Sequence, residues 1–229
     1  FLSRADDLKS LRDVMQENKE LQAEVDRLTQ ELNTINLEQY ELDNLRELME
    51  LDQKYPSYEK VAARVIGNAG GNWFSIFLID KGSKDGIEKD MNVIAGSGLV
   101  GIVIDTGPNY AKVRSIIDDA SNVSSMALST ADRCVISGNL ATMNEHQVIE
   151  FTDLKCEDDA IQSGEQMVTS HISDKYLEGI LIGYVSEIER DSNNLTYSGT
   201  ITPAVDFQHL QEVLVILDKK TVQEGQEGN

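Results

Sequence analysis

The feature that most constrains this chain is an abrupt change of grammar near residue 55. Residues 1–55 contain no Gly, Pro or Cys, while all 16 glycines of the 229 residues lie after residue 66. The stretch "KYPSYEK" (54–60) marks the boundary. Pro56 lacks an amide donor and pushes Tyr55 out of the helical region, so a helix that fills the first part must stop here. Within that part, apolar residues recur in heptads. With Leu11 at position a, the a positions are Leu11, Asn18, Val25, Leu32 and Gln39, and the d positions are Val14, Leu21, Leu28, Ile35, Leu42 and Met49. A sustained 3.5-residue repeat is the pattern of a coiled coil. At ~1.5 Å per residue, positions 11–49 make a rod about 60 Å long.

The positions beside the repeat favour one arrangement. Position g is Glu17, Glu24, Glu31 and Glu38, and position e is Met15, Gln22, Thr29 and Asn36. A parallel pair sets each g Glu against a neutral e residue, whereas an antiparallel pair sets Glu against Glu. Asn18 at a is a polar insertion of the kind that selects two strands and one register. Val14, Asn18, Leu21, Val25, Leu28, Leu32, Ile35 and Leu42 are therefore the expected dimer contacts. The competing arrangement is a helix packed on its own globular part. After Leu42 the phase slips, with Leu45 and Leu48 off the stripe and Arg46 at a, consistent with a stammer or a change of packing partner.

The rest of the chain is β-rich. Short β-branched runs separated by turn residues stand at 61–66, 75–79, 92–95, 99–105, 111–117, 123–128, 133–137, 148–151, 166–170, 180–188, 199–203 and 212–217. In 111–117, Ala111, Val113, Ser115 and Ile117 share one face and Lys112 and Arg114 point the other way. A dozen strands with no long amphipathic helix between them imply two small sandwiches or barrels. "GLVGIVID" (98–105) and "GILIGYVSEI" (179–188) echo one another weakly.

Composition excludes several functions. The formal charge is −20, from 40 acids against 20 bases, and residues 1–52 carry 14 of those acids and 6 of the bases. The acidity is spread along the chain and repels phosphate backbones, so no nucleic-acid partner is expected. No run of about 18 apolar residues is present to span a bilayer. Gly96, Gly98 and Gly101 fit a dinucleotide fingerprint in spacing, but Ile102–Ile104 continue as a strand and Gly107-Pro108 follow, so no helix can begin there to hold a pyrophosphate. A turn at Gly96-Ser97-Gly98 feeding a strand accounts for the stretch, with Gly101 where another backbone comes close. His146, His171 and His209 form no zinc pattern, and "DKGSKDGIEKD" (80–90) lacks the ligands of a calcium loop. Cys134 and Cys156 match no metal or redox motif, and their spacing leaves open whether they pair. No catalytic residue, cofactor or metal is expected.

The segments "ARVIGN", "IFLIDKGSKDGIEKDMNVIAGSGLVGIV", "AKVRSIIDDASNVSS", "SGEQMVTS", "EGILIGYVSEI" and "ITPAVDFQHLQEVLVIL" occur in that order after the helix. In this order they resemble the rod shape-determining MreC family from about Val61 to Leu217. The residues that carry the resemblance are Asp80, Gly82, Gly98, Leu99, Val100, Gly101, Thr169, Ser170, Gly179, Gly183, Pro203, Asp206 and Phe207, read as structural; the chain departs from the pattern at His171 and Leu177. The resemblance implies a mainly β fold with an N-terminal coiled coil (1–55) and two six-stranded β-barrels, the second inserted in the first. It places 61–107 plus 198–218 in the first barrel, 108–197 in the second, and leaves 219–229 as a disordered tail. It further implies a non-catalytic scaffold of the peptidoglycan-elongation machinery that maintains rod shape. Such a protein is a homodimer able to assemble further, on the extracytoplasmic face of the bacterial cytoplasmic membrane, held by a single-pass anchor upstream. Its implied partners are MreD, RodZ, MreB, RodA and a class B penicillin-binding protein. The alternative is a periplasmic-adaptor-like subunit of a trans-envelope transport complex; in such adaptors strands precede a helical hairpin, whereas here one helix comes first. A cell-wall hydrolase is the third class, and it lacks patterned zinc ligands.

Overall fold

The computed structural model describes residues 2–68, 74–155, 161–192 and 195–220, with helix side chains from residue 15 onward. Helix α1 runs Leu2–Lys54 and ends one residue short of Tyr55-Pro56. Arg27 bridges Glu24 at 2.5 Å and Glu31 at 2.7 Å on its surface, the spacing at which helical side chains meet. The chain divides into two compact units, Phe1–Arg46 and Glu47–Asn229. The first unit is helix alone.

The second unit holds twelve strands in two closed barrels. β1 (Lys60–Asn68), β2 (Ile76–Ile79), β3 (Asn92–Ala95), β4 (Gly98–Thr106), β5 (Ala111–Ser115) and β12 (Glu212–Ile216) close the first, in the order β1-β12-β3-β4-β5-β2. β6 (Asn122–Ala127), β7 (Arg133–Ser137), β8 (Ile149–Leu154), β9 (Gln166–Thr169), β10 (Leu181–Arg190) and β11 (Tyr197–Pro203) close the second, in the order β10-β11-β8-β7-β6-β9. Every strand pairing is antiparallel. The second barrel is inserted whole between β5 and β12.

The two cycles are the same. Starting from β7, the second reads β7-β6-β9-β10-β11-β8, which maps strand for strand onto β1-β12-β3-β4-β5-β2. Each barrel is a run of five consecutive strands, with a sixth from outside the run lying between its first and third members. The guest is β12 in one barrel and β6 in the other. The echoing stretches at 98–105 and 179–188 fall on β4 and β10, the fourth strand of each run.

The barrel boundaries differ from the sequence expectation of 61–107 plus 198–218 against 108–197. β5 belongs to the first barrel and β11 to the second. Hairpin neighbours pair: β5 lies against β4 (Gly101↔Ser115, Val103↔Val113), and β11 against β10 (Tyr184↔Thr202, Arg190↔Tyr197). Short connections keep consecutive antiparallel strands adjacent, so one strand, not two, returns to the first barrel. A short helix absent from the sequence reading, α2 (Leu140–His146), is capped by Asn139, whose side chain accepts from the amides of Ala141 (3.0 Å) and Thr142 (3.1 Å).

Inward positions form the core. β5 buries Ala111, Val113 and Ser115 and leaves Lys112 and Arg114 half-buried, as its alternation requires. β4 breaks that rule: every residue from Gly98 to Val103 is buried. One face points into the first barrel and the other lies against the second, where Leu181–Gly183 of β10 are likewise buried. Both barrels thus share one continuous hydrophobic core cluster. Cys134 is a buried free thiol; Cys156, its candidate partner, lies outside the described residues, as do residues 221–229 of the expected tail.

Two glycines are required by close approach. A Cβ on Gly101 would sit 2.0 Å from the Arg114 carbonyl oxygen on β5. One on Gly82 would sit 2.3 Å from the Gly107 carbonyl oxygen, where the 82–84 turn binds the 107–110 turn through Ser83 N–H to Gly107 O (3.0 Å) and Lys84 N–H to Pro108 O (3.2 Å). Asp85 completes that turn by accepting the Gly82 amide at 3.1 Å. That bond, with Lys81 nearby, holds the Asp85 carboxyl below its ordinary value.

These contacts make two measurable predictions. Gly101→Ala is expected to lower stability by about 3 kcal/mol or more in urea unfolding, because backbone must move. Gly96→Ala, where the added methyl meets nothing but φ is +53°, is expected to cost only about 1 kcal/mol. Asp85 with its lowered folded pKa adds stability above the ordinary carboxylate range and loses it as pH falls through the folded value. The difference in Tm between the parent and Asp85→Asn should therefore be present at pH 7 and close on acidification.

Candidate functional site

Helix α1 carries the first candidate surface. Of the expected dimer contacts, Asn18, Leu21, Val25, Leu28, Leu32, Ile35 and Leu42 are all exposed, with Leu21 at 59% and Leu28 at 46%; the Val14 side chain lies outside the described residues. A row of large apolar side chains in water on one helix marks an interaction surface. Glu24 of the g series is held by Arg27 of its own chain, and this ion pair lowers its pKa. The slip of phase after Leu42 has a structural counterpart in the second unit. Leu48 and Leu51 pack into the barrel core, while Met49 stays 64% exposed. Met49 and Leu51 are two residues apart, roughly 200° around the axis.

The residues of the family-like pattern are distributed over three places. The first is the contact between barrels. Leu99 and Val100 are fully buried there, and a Cβ on Gly98 would lie 2.4 Å from the Leu181 carbonyl oxygen. Thr169 is buried beside it; its hydroxyl donates to Leu177 O (2.6 Å) and accepts from the Ile180 amide (2.8 Å). Gly179, at φ +77°, donates its amide to Thr169 O at 3.0 Å. Ser170 is buried, its amide bonded to Ser124 O (2.9 Å) and its hydroxyl accepting from Ile172 (3.3 Å). Gly183 lets β10 approach the Thr202 carbonyl, since a Cβ would lie 2.2 Å from that oxygen.

The second place is the Asp80–Gly82 turn. The Asp80 carboxylate accepts the Arg64 amide at 2.8 Å, while its own amide donates to Arg64 O at 3.0 Å, so the turn is tied to β1. The third is the turn after Pro203, the last residue of β11. Asp206 accepts the Gln208 amide (2.9 Å) and stands 2.7 Å from His209 Nδ1, and Phe207 is fully buried with its carbonyl accepting the Phe74 amide (3.1 Å). In all three places the polar groups are bonded within the fold, mostly to backbone and, at Asp206, also to the His209 side chain.

Three further residues at the barrel contact carried no signal in the sequence. Asn92 is buried on β3; its amide nitrogen donates to Lys175 O (2.9 Å) and its oxygen accepts the Leu177 amide (2.7 Å), binding the loop that departs from the family pattern. Tyr55 and Lys60 flank the end of α1 and are nearly buried. Single polar residues at a strand start or a helix end belong to no sequence pattern.

Burial pushes the Cys134 thiol up to about 11, so at neutral pH it is protonated and a poor nucleophile. Burial likewise pushes the Tyr176 phenol up to about 12. Among the described residues, no group of three His, Cys, Asp or Glu is placed to hold a metal. One open groove of about 590 Å³ lies on the second barrel, lined by Ser124, Arg133, Asp153, Lys155, Ser170 and Ile172 among others. Its walls carry charges of both signs and no paired catalytic groups. Among the described residues no helix is long and apolar enough to cross a membrane.

Comparison with known proteins agrees with the geometry. The chain is 29% identical over 229 residues to the cell shape-determining protein MreC of Listeria monocytogenes, covering 98% of this chain and 76% of that protein. A solved MreC structure from Listeria monocytogenes matches with a TM-score of 0.64 at 28% identity, covering 91% of this chain and all of that one. MreC from Helicobacter pylori, solved in complex with a penicillin-binding protein (PBP2), shares the fold at a TM-score of 0.51 and 13% identity, over 69% of this chain and 99% of that one. Residues 65–217, from β1 through β12, match the model of the barrel core of rod shape-determining protein MreC, and the chain therefore belongs to the MreC family.

Proposed function

We propose that this chain is a non-catalytic scaffold that pairs through α1 and presents its two barrels to the enzymes of peptidoglycan elongation, so maintaining rod cell shape. The observation that carries this reading is the exposed apolar row on α1 from Leu21 to Leu42, in a chain whose family is defined by cell-shape determination. Each Leu or Val withdrawn from water contributes about 1.5–3 kcal/mol, and a second copy offers a matching row. Parallel pairing sets the g-position glutamates away from one another and stacks Asn18 on Asn18. The outward position of Met49, opposite the buried Leu51, leaves that side of the helix open for a partner.

Family membership supports the rest. A penicillin-binding protein is the partner in the Helicobacter pylori complex, and a class B enzyme of that kind is the partner proposed here. MreD, RodZ, MreB and RodA complete the assembly, with the barrels on the extracytoplasmic face of the cytoplasmic membrane and an anchor upstream of the helix. Pairing would raise the local concentration of barrel-bound enzymes by bivalency. The formal charge of −20 suits a protein that binds through apolar and mixed surfaces without gathering nucleic acid.

Two experiments test this. Leu21→Glu with Leu28→Glu puts like charges into two adjacent layers of the pair; sedimentation should then give a monomer while circular dichroism retains the β signature. A dimer in that variant would remove α1 as the pairing element. Photo-crosslinking in living cells from Tyr184, on the outer face of β10 and 40% exposed, should capture a class B penicillin-binding protein. Capture of unrelated envelope proteins alone would count against the scaffold reading.

A further inference from the structure

The last turn of α1 makes more contacts than a helix end needs. Leu51 is 1% exposed and Tyr55, one turn on, is 9% exposed. The Tyr55 hydroxyl accepts the Leu181 amide at 3.1 Å, in the first residue of β10 of the second barrel. The neighbouring residue, Lys54, donates its ammonium to Ser97 O at 2.9 Å, in the β3–β4 turn of the first barrel. Two consecutive residues therefore hold different barrels. Leu181 is also where the barrels meet directly, since its carbonyl lies against Gly98. Its amide is served by a side chain from the helix end and its carbonyl side by the first barrel.

Lys60 fixes the segment that delivers Tyr55. It is the first residue of β1, and its side chain is only 4% exposed. Its ammonium donates to Tyr55 O (2.5 Å), Tyr58 O (3.0 Å) and Asp52 O (3.3 Å), and pairs with the Asp52 carboxylate at 3.0 Å. An ammonium has three donors, and here all three have carbonyl oxygens at the end of a helix, where positive charge is favoured. Pro56 ends the helix, and Lys60 gathers the carbonyls left over.

We propose that residues 51–60 form a wedge that sets the angle between the two barrels, with Tyr55 as the positioning residue and Lys60 as its lock. Contacts between the barrels, including the bonds from Asn92 to Lys175 and Leu177, hold them together. The wedge selects one angle among those the contacts allow. Loosening the helix end then frees the second barrel to swing while each barrel stays folded. This holds whether or not α1 pairs with a second copy, so its failure and that of the scaffold reading are separate results.

The test is pulsed electron spin resonance on the full chain. Spin labels go on Lys84→Cys in the first barrel and Glu145→Cys on α2 of the second, both exposed, in a Cys156→Ser background, with excess unlabelled chain to dilute distances between copies. Buried Cys134 stays in place. The parent should give one narrow distance. Tyr55→Phe keeps the ring and removes the hydroxyl; Lys60→Met keeps the stem and removes the ammonium. Each is expected to widen the distribution about twofold, with an unchanged β signature by circular dichroism. In Tyr55→Phe, the Leu181 amide should exchange roughly tenfold faster. A parental distance width in both variants overturns the proposal, whatever the exchange rate does. If Lys60→Met does not fold, the width in Tyr55→Phe alone decides.

Discussion

Each barrel is closed by a strand that comes from outside its own run of five. β12 fills the gap between β1 and β3, and β6 fills the same gap between β7 and β9. An open antiparallel sheet would expose two rows of unpaired backbone groups at that gap. Closure is thus the condition for a stable first barrel, and its last strand arrives after the whole second barrel. The second barrel is contiguous, from Asn122 to Pro203, and can close on its own strands. The first is discontinuous and pays for a long loop closure (about 100 residues between β5 and β12) before Leu214 meets Ile94 and Val215 meets Val93.

That interlock explains which parts of the fold were legible. All twelve strands stand out in the sequence because each is a short β-branched run between turn residues; burial alternates cleanly in β2, β5, β6 and β7, while β3, β4, β9 and β12 bury consecutive residues. The end of α1 was legible from Pro56 alone. Barrel membership was not, because the two runs share one topology and nothing local distinguishes β5 or β11 as a strand of one barrel or the other. The family resemblance implied a return of the last strands, and the hairpins β4–β5 and β10–β11 restrict that return to β12. The helix α2 was missed because seven residues show too little of a 3.6-residue period; its one signal was the cap at Asn139.

The residues of the resemblance divide along the same physical line. Gly101 was legible as a close approach, since a strand interrupted by Gly implies a backbone nearby; Gly98, read as part of a turn, and Gly183 abut a carbonyl oxygen as well. The neighbour of Gly98 was not legible, because Leu181 lies in the other barrel; Arg114 for Gly101 and Thr202 for Gly183 lie on the strand of the same hairpin. Asn92, Tyr55 and Lys60 could not be found at all by pattern. Each is a single polar side chain whose meaning lies in carbonyls and amides up to about 126 positions away. Buried polar groups need partners more than they need neighbours in sequence, and such pairings appear only once the chain is folded.

The acid-rich surface and the buried polar bonds point the same way. Buried Thr169 and Asn92 close loops of the protein itself, and the more exposed Asp80 and Asp85 close turns, while Arg114 Nε, Ser115 Oγ and Glu212 Oε2 are buried without a hydrogen-bond partner. Apolar side chains stand in water on α1: Leu21, Val25, Leu28, Leu32 and Ile35. In the second unit the two sides of the helix end differ in burial. Leu51 is taken by the barrels while Met49, on the other side of the same turn, is not. A partner helix on the Met49 side would find its surface free, and the barrels would keep their hold on Leu51 and Tyr55. An apolar row left available on α1, beside barrels whose loops are closed by their own polar groups, is the physical content of the scaffold reading proposed above.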